Sequence, residues 1–203
     1  EEGEVRQDEN QSPRIVRVGT ARNGNFQSRI SEHFLFDERK MDFEKNHPKP
    51  SDRSIFRKNI GRALLNKERN DYLKIWNIDF TNTINRNRYQ SSRNINLEQK
   101  IEERITKILR STFSFRFLVY QETGNTLGQF RLEEHLIGTV SRGNNCRQSP
   151  NWLGKYSPEE KIRESGLWQV QHLDSDSINE NEINWIKDSI TQTNLFLLSR
   201  TSS

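Results

Sequence analysis

The chain has 203 residues, carries 32 Lys and Arg against 28 Asp and Glu for a net charge of +4, and is only 31% hydrophobic. That length suits one domain of ordinary size, or one domain with a long insertion, and the composition predicts a small core under a very polar surface. The single cysteine, Cys146, excludes an intramolecular disulfide or a cysteine-rich metal site and suits a reducing, cytoplasmic compartment, and no apolar run is long enough to cross a bilayer.

The polar opening EEGEVRQDENQSP reads as a turn. Residues 15–19 then alternate as a short strand, with Val16 and Val18 on one face and Ile15, Arg17 and Gly19 on the other. Arg17 either meets a phosphate or is an ordinary edge-strand cation. After a polar loop, Phe26, Ile30 and Phe34 recur at four-residue spacing and predict a helix. Arg29 and His33, also four apart, share an adjacent face. A permanent cation beside a titratable imidazole, just beyond a strand end, suits the handling of a phosphodiester.

Residues 37–50 read as a charged loop containing Pro48 and Pro50. A second helix is predicted near 54–66, with Ile55, Ile60 and Leu64 on its apolar side and Arg57, Lys58 and Arg62 on its basic side. That basic side either lies along a nucleic-acid backbone or is a solvated helix face. The clustering of Arg and Lys between Arg53 and Arg110 suits a polyanion. Residues 77–96, rich in Asn, Arg, Ser and Thr, read as a flexible insertion with short structure near 76–80.

A helix over 97–110 follows from Leu97, Ile101, Ile105 and Ile108, and a strand over 113–120 from the alternation of Phe113, Phe115, Phe117 and Val119. A turn at 122–125 leads to a helix over about 127–140 that carries Phe130, Leu136, Ile137 and Val140 inward. Ser157, Pro158 and Glu160 predict the N-cap, first turn and capping box of a further helix, with Gly166 as its C-cap. A last amphipathic helix over 178–190 reads as a lid or partner surface. His135 and His172 read as surface or structural residues.

In this order the segments resemble the catalytic module of the GIY-YIG nuclease family. RIVRVGTARNGNFQSRISEH at 14–33 is similar to the second half of that module, with Gly19 of Arg17-Val18-Gly19 at the glycine of the second signature tripeptide. RLEEHLI at 131–137 follows, and SPNWLGKYSPEEKIRESGLW at 149–168 is similar to the C-terminal block of a bacterial subgroup. The matches span most of the chain. Two departures stand out. No Gly-Ile-Tyr or close variant precedes Arg14, so the sequence is expected to begin inside the hairpin without its first strand and Tyr, and Arg17 stands where the family has its second Tyr.

The resemblance implies an α+β fold: a small antiparallel β-sheet lacking its first strand, flanked by helices, as a single domain over 1–203 with an insertion at about 51–110 and a helical extension at about 157–203. It implies an endonuclease hydrolysing phosphodiester bonds of nucleic acid, DNA foremost, with one Mg²⁺ or Mn²⁺. Glu133 matches the family's metal-binding Glu, because Leu136 and Ile137 follow at the third and fourth positions. Glu134 is its rival, pointing about 100° away. Asn151 is the candidate for the family's late Asn, with Asn144 and Asn145 competing.

In the implied mechanism Glu133 holds the metal, Arg29 offsets charge at phosphorus, and His33 near its ordinary pKa acts as general base or hydrogen-bonds a Tyr that does. Double-strand cleavage calls for a homodimer or two sequential nicks. The second reading, supported by Arg17 and the absent first strand, is a catalytically inactive nucleic-acid-binding or protein-interaction module on the same scaffold.

Overall fold

Several helices of this protein form where the sequence supplies a capping side chain, an apolar stripe or both. The computed structural model describes residues 13–21, 26–34, 43–119, 126–143 and 148–201. In chain order it holds α1 (Phe26–His33), α2 (Pro50–Arg53), α3 (Ile55–Lys67), α4 (Leu73–Trp76), α5 (Thr83–Tyr89), α6 (Ile95–Thr112), α7 (Thr126–Ser141), α8 (Glu160–Ser165) and α9 (Glu180–Thr201), with 3-10 turns at Gln90–Ser92 and Leu153–Tyr156.

Side-chain caps open α3, α5, α6 and α9, and a glycine closes α8. Ser54 accepts the N–H of Arg57 at 3.2 Å to open α3, and Asn94 accepts that of Leu97 at 3.1 Å to open α6. Asn179 and Glu182 cap α9 reciprocally, each side chain accepting the other's backbone N–H at 3.0 and 2.9 Å. Gly166 ends α8 with φ +69°, a left-handed conformation that glycine adopts without strain. Ser157 acts two residues ahead of α8, where its hydroxyl accepts the N–H of Glu159 at 3.2 Å, and the helix itself starts at Glu160.

Two expectations are corrected. Among the described residues there is no β-strand, so the small antiparallel sheet expected from the sequence is absent. The segments read as strands spend their backbone groups elsewhere. Val16 accepts the N–H of Trp168 at 2.8 Å, but the Val18 N–H goes to the side chain of Gln169 at 2.7 Å, and that of Val119 to the hydroxyl of Thr193 at 2.8 Å. A ladder needs a partner backbone that offers successive donors and acceptors, and here the backbone bond at Val16 is followed by a side-chain bond at Val18. The second correction concerns 77–96. It contains α5, which Asn82 caps by accepting the N–H groups of Ile84 and Asn85 at 2.8 and 3.4 Å.

The core is one cluster built from Phe56, Ile60 and Leu65 of α3, Trp76 of α4, Ile101, Ile105 and Leu109 of α6, and Trp152 and Trp168 of the C-terminal block. The stretch 51–110 therefore supplies most of it. Trp76 lies flat on Gly61, where an added Cβ would stand 2.4 Å from the indole, and its Nε1–H donates to the carbonyl of Lys58 at 3.1 Å.

Charges are buried in the same region as carboxylate-paired cations. Arg57 meets Glu102 at 2.8 Å with both side chains 0% exposed. Lys49 and Lys58 share Asp52 at 2.8 and 3.2 Å, and Arg93 meets Glu98 at 2.6 Å. The basic side of α3, read as a nucleic-acid or solvated face, is thus turned inward at Arg57 and Lys58. A buried cation persists only when paired and hydrogen-bonded, and the carboxylates of α2 and α6 provide this.

Removing one member of such a pair leaves its partner charged and dry. Arg57→Met is expected to lower unfolding stability by about 3 to 5 kcal/mol in urea denaturation, and Arg57→Met with Glu102→Leu to recover much of that loss.

Candidate phosphodiester site

The site is assembled from α1, the segment 14–20 and α7. His33, at the last turn of α1, is 8% exposed and is held at two points. Its Nδ1 lies 2.7 Å from the hydroxyl of Ser54, and its carbonyl accepts from Nη1 of Arg57 at 3.2 Å. The side chain that caps α3 thus also fixes the imidazole.

Arg17 reaches the same place from the N-terminal segment. Its Nη1 donates to the carbonyl of Trp168 at 3.2 Å, and its guanidinium lies over the Phe56 ring at 5.3 Å. Thr20 donates its hydroxyl to Oε2 of Glu133 at 2.7 Å and so joins this segment to α7. Arg29 pairs with Glu32 at 3.2 Å, and its side chain, 44% exposed, is the most open cation of the group.

The charges of several of these residues act on one another. Burial, then the charge of Arg29, push the Arg17 guanidinium down to about 10, with Glu133 opposing the shift. It remains charged at neutral pH. Burial, then Arg17, Arg29 and Arg57, push His33 down to about 4. The expectation of an imidazole near its ordinary pKa is therefore corrected: in the free protein His33 is neutral at pH 7 because three guanidinium groups and a dry setting disfavour its cation. Arg17 and Arg29 bring two positive charges to the neutral imidazole, balanced in the free protein by the carboxylates of Glu133 and Glu32.

The rival carboxylates of α7 face different ways. Glu133 meets Thr20, whereas Glu134 lies 3.5 Å from His172 at a more open position. His135 meets Glu182 of α9 at 2.7 Å. Asn151 is exposed on the turn before Leu153–Tyr156 and hydrogen-bonds to none of the four site residues, while Asn144 and Asn145 lie outside the described residues, as does the predicted turn 122–125. The side chain of Phe130 lies outside them also. Arg62 is engaged by Asn77, Asn59 and Glu159 at 2.8, 2.9 and 3.2 Å, away from any role as a loose surface cation. Sequence reasoning missed Thr20 and Ser54. The only signal for Ser54 was its capping position, and for Thr20 its place directly after Gly19.

Among the described residues no group of three or more His, Cys, Asp or Glu side chains could hold a metal. Glu32 is engaged by Arg29, and on Glu133 the Thr20 hydroxyl occupies one of roughly four acceptor positions. That donor set fits a hard cation that keeps most of its waters, as Mg²⁺ does, and does not fit a closed zinc cage.

Arg17 and Arg29 thus lie in the electrostatic neighbourhood of the His33 imidazole, and Arg17 also in that of Glu133. A family model described as a GIY-YIG domain matches residues 1–196, and the chain belongs to this family, whose members are nucleases acting on nucleic acid and generally dependent on a divalent metal. No curated protein and no solved structure matches the chain. No helix among the described residues is long and apolar enough to cross a membrane.

His33 also makes stability depend on pH. Its folded pKa of about 4 lies below its ordinary 6.5, so between these values the unfolded chain takes up a proton that the folded chain refuses. The stabilisation is full above pH 6.5 and is lost as pH falls toward 4. Urea unfolding at pH 7 and pH 4.5 is expected to show a loss in the wild type that exceeds the loss in His33→Gln by about 2 kcal/mol.

Proposed function

We propose that this chain is an endonuclease that hydrolyses phosphodiester bonds in DNA with one divalent metal, Mg²⁺ or Mn²⁺, held on Glu133. The observation that carries the reading is the convergence of Arg17, Arg29, His33 and Glu133, drawn from three separated parts of the chain, into one electrostatic neighbourhood. Glu133 would hold the metal, which would supply Lewis-acid charge to the reacting phosphate.

The chain's own residues account for the rest. Arg29 exchanges Glu32 for the phosphate and opposes the negative charge that develops at phosphorus. Arg17, anchored on the Trp168 carbonyl, adds fixed positive charge from the buried side. With Nδ1 engaged by Ser54, Nε2 of His33 is the atom left to take a proton from water. The arriving phosphate offsets the guanidinium charges and raises the imidazole from about 4 toward its ordinary value, so that its basicity increases when substrate is present. Asn151, exposed and without a bond to these groups, takes no part in this assignment. The single cysteine supports a reducing, cytoplasmic setting, and the C-terminal block a bacterial one. Cleavage of both strands requires two successive nicks or a second copy of the chain.

One observation favours a binding module instead: Arg17 stands where the family has a Tyr, and a guanidinium with a pKa of about 10 cannot take a proton at neutral pH. Such a module binds nucleic acid in a salt-sensitive way without turnover.

Nicking of supercoiled plasmid separates the two. The wild-type protein is expected to nick in Mg²⁺ and to stop when EDTA is added. Arg29→Ala and Glu133→Ala are expected to lower the rate by at least about 100-fold while their circular dichroism and melting temperature stay unchanged. Wild-type rates in either purified variant would remove that residue's assignment, and binding without nicking by the wild type would select the binding module.

A further inference from the structure

Next to the site the protein leaves aromatic surface open to solvent. Phe26, in the first turn of α1, is 38% exposed, and Phe115, in the segment after α6, is 43% exposed. Their rings meet edge-on with centroids 6.2 Å apart. Phe34 stands 5.8 Å from Phe115 and 6.4 Å from the imidazole of His33. A continuous row of rings therefore leads from the buried His33 out to the surface, on the helix that also carries Arg29.

Beside this row lies an open groove of about 440 Å³, lined by Phe34, Leu109, Phe113 and Phe115, with Arg110 and Arg116 among its walls. Both arginines are exposed. Arg110 is anchored by donating its Nε–H to the carbonyl of Phe34 at 3.3 Å, and Arg116 reaches back to the carbonyl of Phe115 at 3.1 Å. The chemistry combines ring faces and edges with fixed positive charge. Ring faces stack bases of any sequence, and guanidinium groups meet phosphates and also stack. The groove has the size of a small-ligand site.

We propose that this groove takes an unpaired base of a nucleic-acid strand, stacked against Phe115, while Arg116 meets a phosphate of the same strand. The proposal rests on the nuclease reading for its direction, since the row of rings ends at His33 and Arg29. It gives the protein a preference for single-stranded, bulged or frayed nucleic acid at the point of cleavage, because a base inside a duplex is already stacked and cannot enter.

The test uses the full chain with Glu133→Gln, so that binding is read without turnover. Fluorescence anisotropy measures the affinity for a labelled 12-nucleotide single strand and for a duplex of the same sequence. The single strand is expected to bind more tightly. Phe115→Leu, which keeps an apolar side chain but removes the ring, is expected to weaken single-strand binding at least about fivefold and leave duplex binding unchanged, and Phe115→Trp to restore it. Arg116→Gln is expected to lower the slope of log affinity against log salt by about 1. Equal affinity for both forms, equal loss on both forms in Phe115→Leu, or no loss at all would overturn the proposal. So would displacement of the strand by a polyglutamate peptide bound more tightly in the wild type than in Phe115→Leu, which would assign the groove to an acidic protein. Plasmid nicking by the wild type, run in parallel, keeps the two readings apart. Nicking with Phe115→Leu silent in binding rejects the groove alone; a ring-dependent preference for single strands without nicking rejects the nuclease reading alone.

Discussion

Arg57 and Glu102 meet in a fully dry setting, and nearly every remaining polar atom of the pair fixes a different part of the chain. Glu102 accepts the N–H of Ser51 at 2.8 Å, which sets the start of α2. Nη2 of Arg57 donates to the carbonyl of Glu102 and to the hydroxyl of Thr106, at 3.1 and 2.8 Å, locking α3 to α6. Nη1 donates to the carbonyl of His33, the last residue of α1. A buried pair of this kind adds little net stability over apolar residues of the same size, because two charges have been taken out of water. Its effect is on arrangement: the pair ties together four helices, three through the guanidinium and α2 through the Glu102 carboxylate.

The same constraint reaches the chemistry. Arg57 donates at the C-terminal end of α1, where a cation is favoured by the helix dipole, and in doing so it brings a third positive charge to His33. Ser54 caps α3 and touches the imidazole, so the start of one helix and the orientation of the site residue cannot be varied independently. The consequence is an imidazole whose cation is disfavoured in the free protein by burial and by three guanidinium groups.

Much of this was legible in the sequence where pattern and chemistry agree. The periodicity of Ile101 and Ile105 located α6, the apolar spacing of Ile55, Ile60 and Leu64 located α3, and Gly166 located the end of α8. Arg29, His33 and Glu133 stood out by their order along the chain rather than by any one spacing. The sheet was misread because alternation of apolar residues reports only that two faces differ. It does not say whether a partner backbone is present, and at 14–20 and 113–119 the partners are largely side chains. The inward turn of Arg57 and Lys58 was hidden for a related reason: helical spacing defines a face but not what covers it. A signal did exist on α6, where Glu98 and Glu102 fall in the buried stripe with Ile101 and Ile105. Two carboxylates on an apolar face require buried cations, and the nearest basic run supplies them.

The account rests on Arg17, Arg29 and His33 occupying one charged site, and this is measured most directly by following the His33 imidazole by NMR through a pH titration of the wild type and of Arg29→Ala. The account predicts a midpoint at about 4 in the wild type that rises when the Arg29 charge is removed, with burial and the other guanidinium groups holding it below 6.5 in both. A midpoint near 6.5 that does not respond to Arg29 would show that the imidazole is neither buried nor in the company of these cations, and would contradict the site as described.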